Sequence, residues 1–363
     1  MVNTEMLKTT EYLASLLLAI QRGESAPPLP DGITHAHVYK MSKEHSLAAA
    51  SYVALSDTIT AATVPDEYRK RWSREAELAT VQHLRQSAAF SDITRAFTEV
   101  KVRFLPLKGF LFKALWTRPE LRTMADMDIL VSCNEYDLAR ETLLSLGYCL
   151  DHAGDVHDSF TKGFINVELH KMLYDGATDS FDSWMPREDN PYWYQMPYDK
   201  FLEFNLRHAY KHYEHGGCGL RAMFDFYLVF EKYGRIDDPA FIDRLKSEGL
   251  YDFYTLVLRL VDLWFYGISD DGVLETAEYI ASGGVYGTLD NGVRYSVSKK
   301  GSKAKHVLSR IFPPYKDVAG RYKWVKKCPI LLPVAYVVRI FTAIFDGKAA
   351  LEMKSVGKID KNK

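Results

Sequence analysis

The chain has 363 residues, of which 47% are hydrophobic and 13% are aromatic, so it can bury a sizeable core and is not intrinsically disordered. Its 46 Lys and Arg residues balance 47 Asp and Glu residues, which excludes a general electrostatic attraction of the whole chain to nucleic acid or to a membrane. Any basic site must therefore be local.

The N-terminal segment and the cysteines both predict a cytoplasmic protein. Acidic Glu5 and Glu11 accompany the first apolar stretch, and no small-residue cleavage site follows it, which is not typical of a signal peptide. The four cysteines lack Cys-x-x-Cys spacing, so they indicate neither a disulfide framework nor a cysteine zinc site. These cysteines are Cys133, Cys149, Cys218 and Cys328.

Helices are predicted for most of the first hundred residues. Residues 4–22 predict an amphipathic helix. Residues 42–98 predict further helices, because apolar positions such as Leu78 and Val81 recur at spacings of three and four. We therefore expect an N-terminal helical region over residues 1–98.

Between residues 99 and 197 the pattern changes to short strands that alternate with helices. Strand ends hold charged groups at fixed separations, so this stretch is the natural catalytic module. The predicted strands are 102–107, 127–131, 148–151, 159–162 and 164–170, and the predicted helices are 109–116 and 135–146.

The strongest chemical signal is Asp126-Met127-Asp128, which runs into Ile129-Leu130-Val131. A strand alternates its side chains between two faces, so Asp126 and Asp128 would project together while the apolar residues bury the other face. Charge at the start of a buried strand needs compensation. Two carboxylates side by side are typical of a site for Mg²⁺, or for Mn²⁺ in its place, that shares substrate phosphates.

A third carboxylate is expected, because two metal ions near one phosphate need more negative ligands than one pair supplies. Glu168 is the best candidate, since it alternates with apolar Val167 and Leu169 as a partly buried strand residue would. His170 follows it as a supporting residue. The alternative for Glu168 is an exposed strand carboxylate.

Lys108 and Gly109 lie where a predicted strand gives way to a helix. Backbone amides at a helix N-terminus and a nearby cation form an anion site, and Gly109 would let a phosphate approach the backbone. A Walker motif is absent. We expect Lys108, Gly109 and Arg122 to bind nucleotide phosphates; the alternative is a solvated or ion-paired Lys108.

Residues 198–363 predict a C-terminal helical region. Two pairs would each share a helical face, His208 with His212 and Arg221 with Asp225. Zinc binding by the histidines is not favoured, because the Glu of a His-Glu-x-x-His motif is missing. We expect a packed histidine pair and an Arg221–Asp225 ion pair that support the site.

Two other segments carry weaker signals. The doublet His157-Asp158 also occurs in helical metal-dependent phosphohydrolases, but here it lies in a strand-rich stretch, so it is assigned no role. Residues 293–297 predict a short strand or a loop.

The segment 329–345 is apolar almost throughout, with Arg339 as its only charge. Its helical part after Pro333 is too short for a bilayer span, which needs about 20 residues. We expect a buried terminal helix. The alternative is a peripheral helix on a membrane surface, helped by the basic residues that precede it. These are Arg321, Lys323, Lys326 and Lys327.

Three motifs taken together resemble the uncharacterised nucleotidyltransferase-like family of the DNA polymerase beta superfamily. They are Leu107-Lys108-Gly109, Arg122 with Asp126-Met127-Asp128-Ile129-Leu130-Val131, and Val167-Glu168-Leu169-His170. The downstream His208, His212, Arg221 and Asp225 are similar to that family too, and the resemblance covers most of the chain from about residue 70.

This resemblance implies an α+β fold in which a small mixed-sheet nucleotidyltransferase core, 99–197, is flanked by N-terminal helices and a C-terminal helical domain. It also implies that Asp126, Asp128 and Glu168 bind divalent metal. The usual Gly-Ser pair before the aspartates, which contacts the triphosphate, is replaced by Lys108-Gly109. The resemblance therefore implies metal binding more strongly than triphosphate use.

The predicted function is metal-dependent transfer of NMP from an NTP to an acceptor. The acceptor can be a small molecule, a peptide or a glycan intermediate, because no basic stripe with interleaved aromatics marks a nucleic-acid path. Two alternatives stay open. An Asp-x-Asp sugar-nucleotide glycosyltransferase is disfavoured by the helical residues before 100, and a non-catalytic nucleotide-binding or scaffold protein by the full set of three carboxylates.

Overall fold

The computed structural model describes residues 3–59, 63–177, 181–345 and 347–359. The chain forms two compact units, which are Met1–Tyr210 with Leu220–Glu278, and Lys211–Gly219 with Tyr279–Lys363. The division at residues 98 and 197 expected from the sequence stays a prediction.

In the described part of the first unit, four helices precede the sheet. The first begins after Asn3, whose side chain accepts a hydrogen bond from the Met6 amide, and ends at Gly23 in the left-handed conformation. The helices are α1 (Thr4–Arg22), α2 (His35–Glu44), α3 (Ala48–Ala54) and α4 (Asp66–Glu99).

Helix α4 buries a different stripe from the one its sequence suggested. Leu78 and Val81 are exposed, whereas Phe90, Ile93 and Phe97 are buried against the sheet. Apolar residues occur on more than one side of this helix. The three-and-four spacing therefore predicted the helix but could not select its buried face.

The elements of the core are β1 (Phe104–Pro106), α5 (Gly109–Lys113), β2 (Met127–Val131), α6 (Tyr136–Ser145), β3 (Cys149–Ala153), β4 (His157–Lys162), β5 (Ile165–His170), β6 (Met185–Arg187) and β7 (Asn190–Gln195). Among the described residues, the sheet has seven strands in the order β3-β4-β5-β2-β1-β7-β6. Two neighbouring pairs are parallel, β2 with β5 and β1 with β7, and the others are antiparallel. The predicted α+β class with a mixed sheet is thereby confirmed.

Strands β6 and β7 were not predicted. Pro191 and the polar residues around it interrupt the alternation that identifies a strand. What holds β7 in the sheet is its parallel pairing with β1, where Trp193 lies opposite Phe104. That pairing joins residues far apart in the sequence and leaves no local pattern.

The two faces of the sheet pack against different cores. Ile129 of β2 and Val167 of β5 belong to the core that contains Phe97 of α4. Leu130 of β2 lies on the opposite face, in a core with Phe204. Because side chains alternate along a strand, the even-numbered residues of β2 project toward this second face.

Helices follow the sheet, as predicted for residues 200–280. The helices are α7 (Tyr198–Glu214), α8 (Gly219–Tyr233), α9 (Pro239–Ser247), α10 (Tyr251–Phe265) and α11 (Leu274–Gly283). The backbone amide of Leu220, at the start of α8, donates to Nδ1 of His45 over 2.8 Å, which joins this part of the first unit to its N-terminal helices.

In the second unit, backbone segments cross closely at glycine. A Cβ added to Gly283 would lie 2.3 Å from the Gly216 carbonyl oxygen, so only glycine fits there. The side-chain amide of Asn291 donates from Nδ2 to the same Gly216 oxygen and to the Tyr279 carbonyl oxygen. The remaining helices are α12 (Leu289–Lys300), α13 (Lys303–Ile311), α14 (Tyr315–Arg321), α15 (Lys323–Lys327), α16 (Leu332–Phe345) and α17 (Gly347–Lys358).

The prediction of a strand or loop at 293–297 is wrong, because these residues lie inside α12. The Thr288 side chain caps the first turn by accepting from the Asn291 amide, and Gly301 ends the helix in the left-handed conformation. These caps stabilise a helix whose β-branched residues alone favour a strand.

The prediction of a buried terminal helix at 329–345 is also wrong. A helix forms, but Val334, Val337 and Phe341 of α16 are exposed, and Ala335 on the opposite face is buried. Within the described residues, no helix combines the length and the apolar character needed to cross a membrane.

Packing of α4 on the sheet should dominate the stability of the first unit. Phe97 is fully buried with its ring centroid 5.7 Å from that of Phe104, so Phe97→Ala should lower the free energy of unfolding by about 3–5 kcal/mol. Phe164, which is 75% exposed, provides the matched control, and Phe164→Ala should change it by less than about 1 kcal/mol. Chemical denaturation measures both, and equal losses would contradict this packing.

Candidate active site

Asp128 is the buried centre of a polar cluster on the sheet. It lies on β2 directly opposite Glu168 of β5 in the parallel register. Its side chain is only 4% exposed. Leu130 shares its face of the strand, so the carboxylate lies beside the second core and not beside α4.

Lys108 supplies the nearest cation. Its Nζ donates to Oδ1 of Asp128 over 2.6 Å, and its side chain is 19% exposed. The Lys108 backbone has φ +41° and ψ −107°, a conformation that L residues rarely adopt. Such strain, of order 1–3 kcal/mol, persists only where the surroundings enforce it and is frequent at functional sites.

Two histidines complete the cluster. The Nε2 of His170 lies 3.0 Å from Oδ1 of Asp128 and 3.5 Å from a Glu168 oxygen. The other Glu168 oxygen lies 3.6 Å from Nε2 of His157, which pairs with His170 across β4 and β5. Glu168 is therefore held between two imidazoles on neighbouring strands.

The carboxylates of the cluster differ in charge compensation. Burial and the negative charges of Asp128 and Glu168 raise the pKa of Asp126 to about 6. Burial also opposes ionisation of Asp128, but the hydrogen bond from His170 and the Lys108 charge prevail, and its pKa falls well below the usual range. Negative charge is thus compensated at Asp128 and left in excess at Asp126.

The pKa values of the two histidines are shifted in opposite directions. Burial lowers the pKa of His157. Burial works in that direction on His170 too, but its hydrogen bonds to Asp128 and Glu168 outweigh it, and the pKa of His170 is raised. His170 is therefore the charge partner of the carboxylates, and His157 is the less basic of the two.

This donor set fits a hard divalent cation. Asp128 on β2, Glu168 on the neighbouring β5 and Asp126 directly before β2 offer carboxylate oxygens, which Mg²⁺ and Mn²⁺ prefer as ligands. One potential ligand atom each of His157, Glu168 and His170 lies within 4.8 Å of the other two, so imidazoles line one side of the carboxylates. A cation there would offset the excess negative charge at Asp126.

A buried ion pair holds the loop that leads into Asp126. The guanidinium of Arg122 donates from Nε and from Nη2 to the two oxygens of Asp225 on α8, at 2.8 and 2.6 Å. Trp116 Nε1 also donates to Asp225, at 3.0 Å. Arg122 and Asp225 are both buried, so this pair is held away from water.

Further contacts hold the same loop. Arg221 of α8 donates to the Thr123 carbonyl oxygen over 2.7 Å, and Gln86 of α4 donates to that of Met124 over 3.0 Å. A Cβ added to Gly109 would lie 2.8 Å from the Met124 sulfur. Gly109 thus gives the loop room to pack beside α5.

The described contacts sort the predicted residues into two groups. Asp128, Glu168, Lys108 and His170 are joined by direct contacts, and Asp126 lies close enough for the charges of Asp128, Glu168 and Lys108 to shift its pKa. Their catalytic and metal-binding roles stay predictions. Arg122 and Asp225 meet in the buried pair, with Arg221 bound to the same loop. His208 and His212 lie one turn apart on α7, and their supporting role stays a prediction.

His157 is the cluster residue that the sequence did not identify. Its strand had a recognisable signal, since His157 and Ser159 alternate with buried Asp158 and Phe160. The missing information was the antiparallel register, which places His157 opposite His170. Two histidines thirteen residues apart could not be assigned to one site without it.

A comparison with protein families matches residues 31–266 to a family described as an uncharacterised nucleotidyltransferase. Among solved structures, the antibiotic-resistance factor ANT(2'')-Ia is 12% identical, and the match covers 51% of this chain and 99% of that one with a TM-score of 0.36. A likeness of that strength carries no functional argument. The curated proteins include no match.

Breaking the buried pair should be costly. Asp225→Asn leaves the Arg122 charge buried without a counter-ion and should lower the free energy of unfolding by about 3–5 kcal/mol. Adding Arg122→Met should cost less than the sum of the two single losses. The control is Asp92→Asn, which breaks the exposed 2.8 Å pair with Arg95 and should cost at most about 1 kcal/mol. Chemical denaturation measures these losses. If the double variant loses the full sum of the two single losses in free energy of unfolding, Arg122 and Asp225 are not coupled and the prediction is wrong.

Lys113 should make stability depend on alkaline pH. Burial and the Arg122 charge lower its pKa from 10.5 to about 8, so below pH 8 the folded state bears the full cost of the buried charge. As pH rises from about 8 to 10.5, the folded state loses this proton first and the cost disappears.

Lys113→Met should therefore stabilise the protein at pH 7 by up to about 3 kcal/mol, and the gain should shrink toward zero near pH 10.5. Unfolding measured at several pH values tests this, with the exposed Lys70→Met as control. A gain that does not change with pH would contradict the assigned cost.

Proposed function

The chain belongs to the uncharacterised nucleotidyltransferase family, and on this premise we propose that it transfers NMP from an NTP at the cluster of Asp126, Asp128 and Glu168. The observation that supports the location is the register of β2 and β5, which brings Asp128 opposite Glu168. An oxygen or nitrogen of the acceptor attacks the α-phosphorus. That new bond replaces the bond to the β-phosphate oxygen, and pyrophosphate leaves with the electron pair.

Asp126, Asp128 and Glu168 would hold the divalent cation, either Mg²⁺ or Mn²⁺. When bound, it supplies positive charge that stabilises the negative charge on the phosphates. We assign to Glu168 the acceptance of the proton that the acceptor loses, which is supported by the partial exposure of its carboxylate and the burial of Asp128. His170 and His157 position that carboxylate from either side.

Lys108 has two roles in this proposal. In this structure its ammonium neutralises Asp128, with Nζ 2.6 Å from Oδ1. Its partly exposed ammonium also neutralises phosphate charge when the nucleotide is bound, as a point charge without directional demands. Arg122 is assigned to positioning, since its guanidinium is buried on Asp225 and holds the loop before Asp126.

The acceptor in this proposal is a small molecule, a peptide or a glycan intermediate. Two basic side chains beside the sheet are ion-paired with carboxylates, which makes them less available to track a polynucleotide backbone. Arg103 pairs with Glu135 at 2.8 Å, and Lys171 pairs with Asp158 at 2.8 Å.

Removing the carboxylate charge should abolish transfer. Asp126→Asn with Asp128→Asn, and Glu168→Gln alone, should each lower NMP transfer by at least about 100-fold, because charge stabilisation is the main catalytic term. The assay uses each α-phosphate-labelled NTP with Mg²⁺ or Mn²⁺ and a cell extract as acceptor source. Asp155→Asn, which changes an exposed carboxylate in the turn before β4, is the matched control and should retain activity.

Two results would overturn the proposal. One is NMP transfer by the Asp126→Asn, Asp128→Asn variant at the rate of the unaltered protein. The other is transfer of a sugar from a sugar nucleotide in place of NMP from an NTP, which would identify a glycosyltransferase. Calorimetry with Mn²⁺ measures metal binding by the same variants, and circular dichroism shows whether they are folded.

A further inference from the structure

The C-terminal part of the second unit has a continuous exposed apolar stripe. Its members recur every three or four residues along α16 and the 3-10 turn Pro329–Leu331 before it. Such a row of large apolar side chains in water marks an interaction surface. The stripe consists of Ile330 (87% exposed), Val334 (50%), Val337 (52%), Val338 (37%) and Phe341 (62%).

The opposite face of α16 fixes the stripe outward. Ala335 is fully buried in a small core with Val318 and Val325. The Tyr336 hydroxyl donates to the Pro313 carbonyl oxygen over 2.9 Å. Because the helix is already packed on this side, the stripe cannot turn inward without breaking that core.

A basic segment directly precedes the stripe. Arg321, Lys323, Lys326 and Lys327 are all exposed, and residues 318–345 contain no Asp or Glu. Across the part of the chain that the structure describes, the three lysines contribute to none of the ion pairs. The whole chain is nearly neutral, so this segment is a local concentration of uncompensated positive charge.

We propose that the stripe and the basic segment dock on an anionic lipid surface. An apolar helix face inserts at the boundary between headgroups and acyl chains, and neighbouring cations bind anionic headgroups. Trp324, within the basic segment, is 37% exposed, and tryptophan favours this interfacial depth. With 14 residues, α16 is about 21 Å long and lies along the surface.

The charges argue for lipid over a second copy of this chain. In a two-fold symmetric dimer each surface meets its own equivalent, so the basic segments of both copies would lie near one interface and repel each other. An anionic bilayer satisfies the apolar stripe and the cations at the same time. The proposal is independent of the transferred group, because none of these residues belongs to the carboxylate cluster.

Vesicle co-sedimentation tests the proposal on the full chain. The protein should bind vesicles of phosphatidylglycerol and phosphatidylcholine at least about tenfold more strongly than vesicles of phosphatidylcholine alone. Added salt should weaken the binding, because exposed charges are screened. Absence of binding to the anionic vesicles would overturn the proposal.

Two variants separate the apolar and the charged contributions. Val337→Asp with Phe341→Asp should reduce binding at least about tenfold, and so should Lys326→Glu with Lys327→Glu. Phe164→Asp is the control for the first pair, as an exposed aromatic elsewhere. Lys40→Glu with Lys70→Glu makes the same charge change at exposed positions in the first unit and is the control for the second.

The alternative partner of the stripe, a second copy of this chain, is tested with the same variants. Sedimentation velocity shows whether the stripe variants change the oligomeric state, and circular dichroism shows whether they stay folded. Vesicle binding that survives in the stripe variants while a dimer dissociates would assign the stripe to self-association and overturn the proposal. Folded variants of unchanged oligomeric state that lose vesicle binding support it.

Discussion

Compensation of the buried Asp128 charge is the constraint on which the candidate site depends. A carboxylate with a side chain only 4% exposed would be prohibitively costly without partners. His170 provides one from β5, and Lys108 provides the other from the turn between β1 and α5. The strained Lys108 backbone is understandable in this light, since the ion pair offsets part of its cost. Charge compensation thus explains why a non-glycine residue adopts this conformation.

The same requirement explains why helices outside the sheet matter to the site. Asp126 precedes β2 and is not held by strand pairing, so its position depends on the loop before it. The Arg122–Asp225 pair holds that loop on α8, and Gln86 holds it on α4. A buried bidentate pair defines one geometry far better than an exposed pair does, at the expense of stability if one partner is lost. Helices α4 and α8 of the first unit therefore fix the position of the loop that carries Asp126.

The local sequence pattern was sufficient to predict some elements of this molecule and not others. The strand 127–131 and the alternation around Glu168 could be predicted, because side-chain period is a property of a few consecutive residues. The role of Gly109 beside Met124 could not, since it depends on a contact between two segments. The same holds for β7, which pairs with a distant strand, and for His157, which needs the register of β4 on β5. The buried face of α4 could not be predicted for a related reason, because the sheet against which the helix packs determines which face is buried.

The near-zero net charge conceals two different populations of cations. Arg103, Arg122 and Lys171 around the sheet are paired with carboxylates, so their charges shape the fold and exert little attraction beyond it. Lys326 and Lys327 form none of the described ion pairs, so their field extends into solvent for about a Debye length. Net charge alone therefore misrepresents this chain, since attraction to an anionic surface depends on where the unpaired charges lie. The exposed apolar stripe begins three residues after Lys327, which is why short-range apolar contact and longer-range attraction would act at one place.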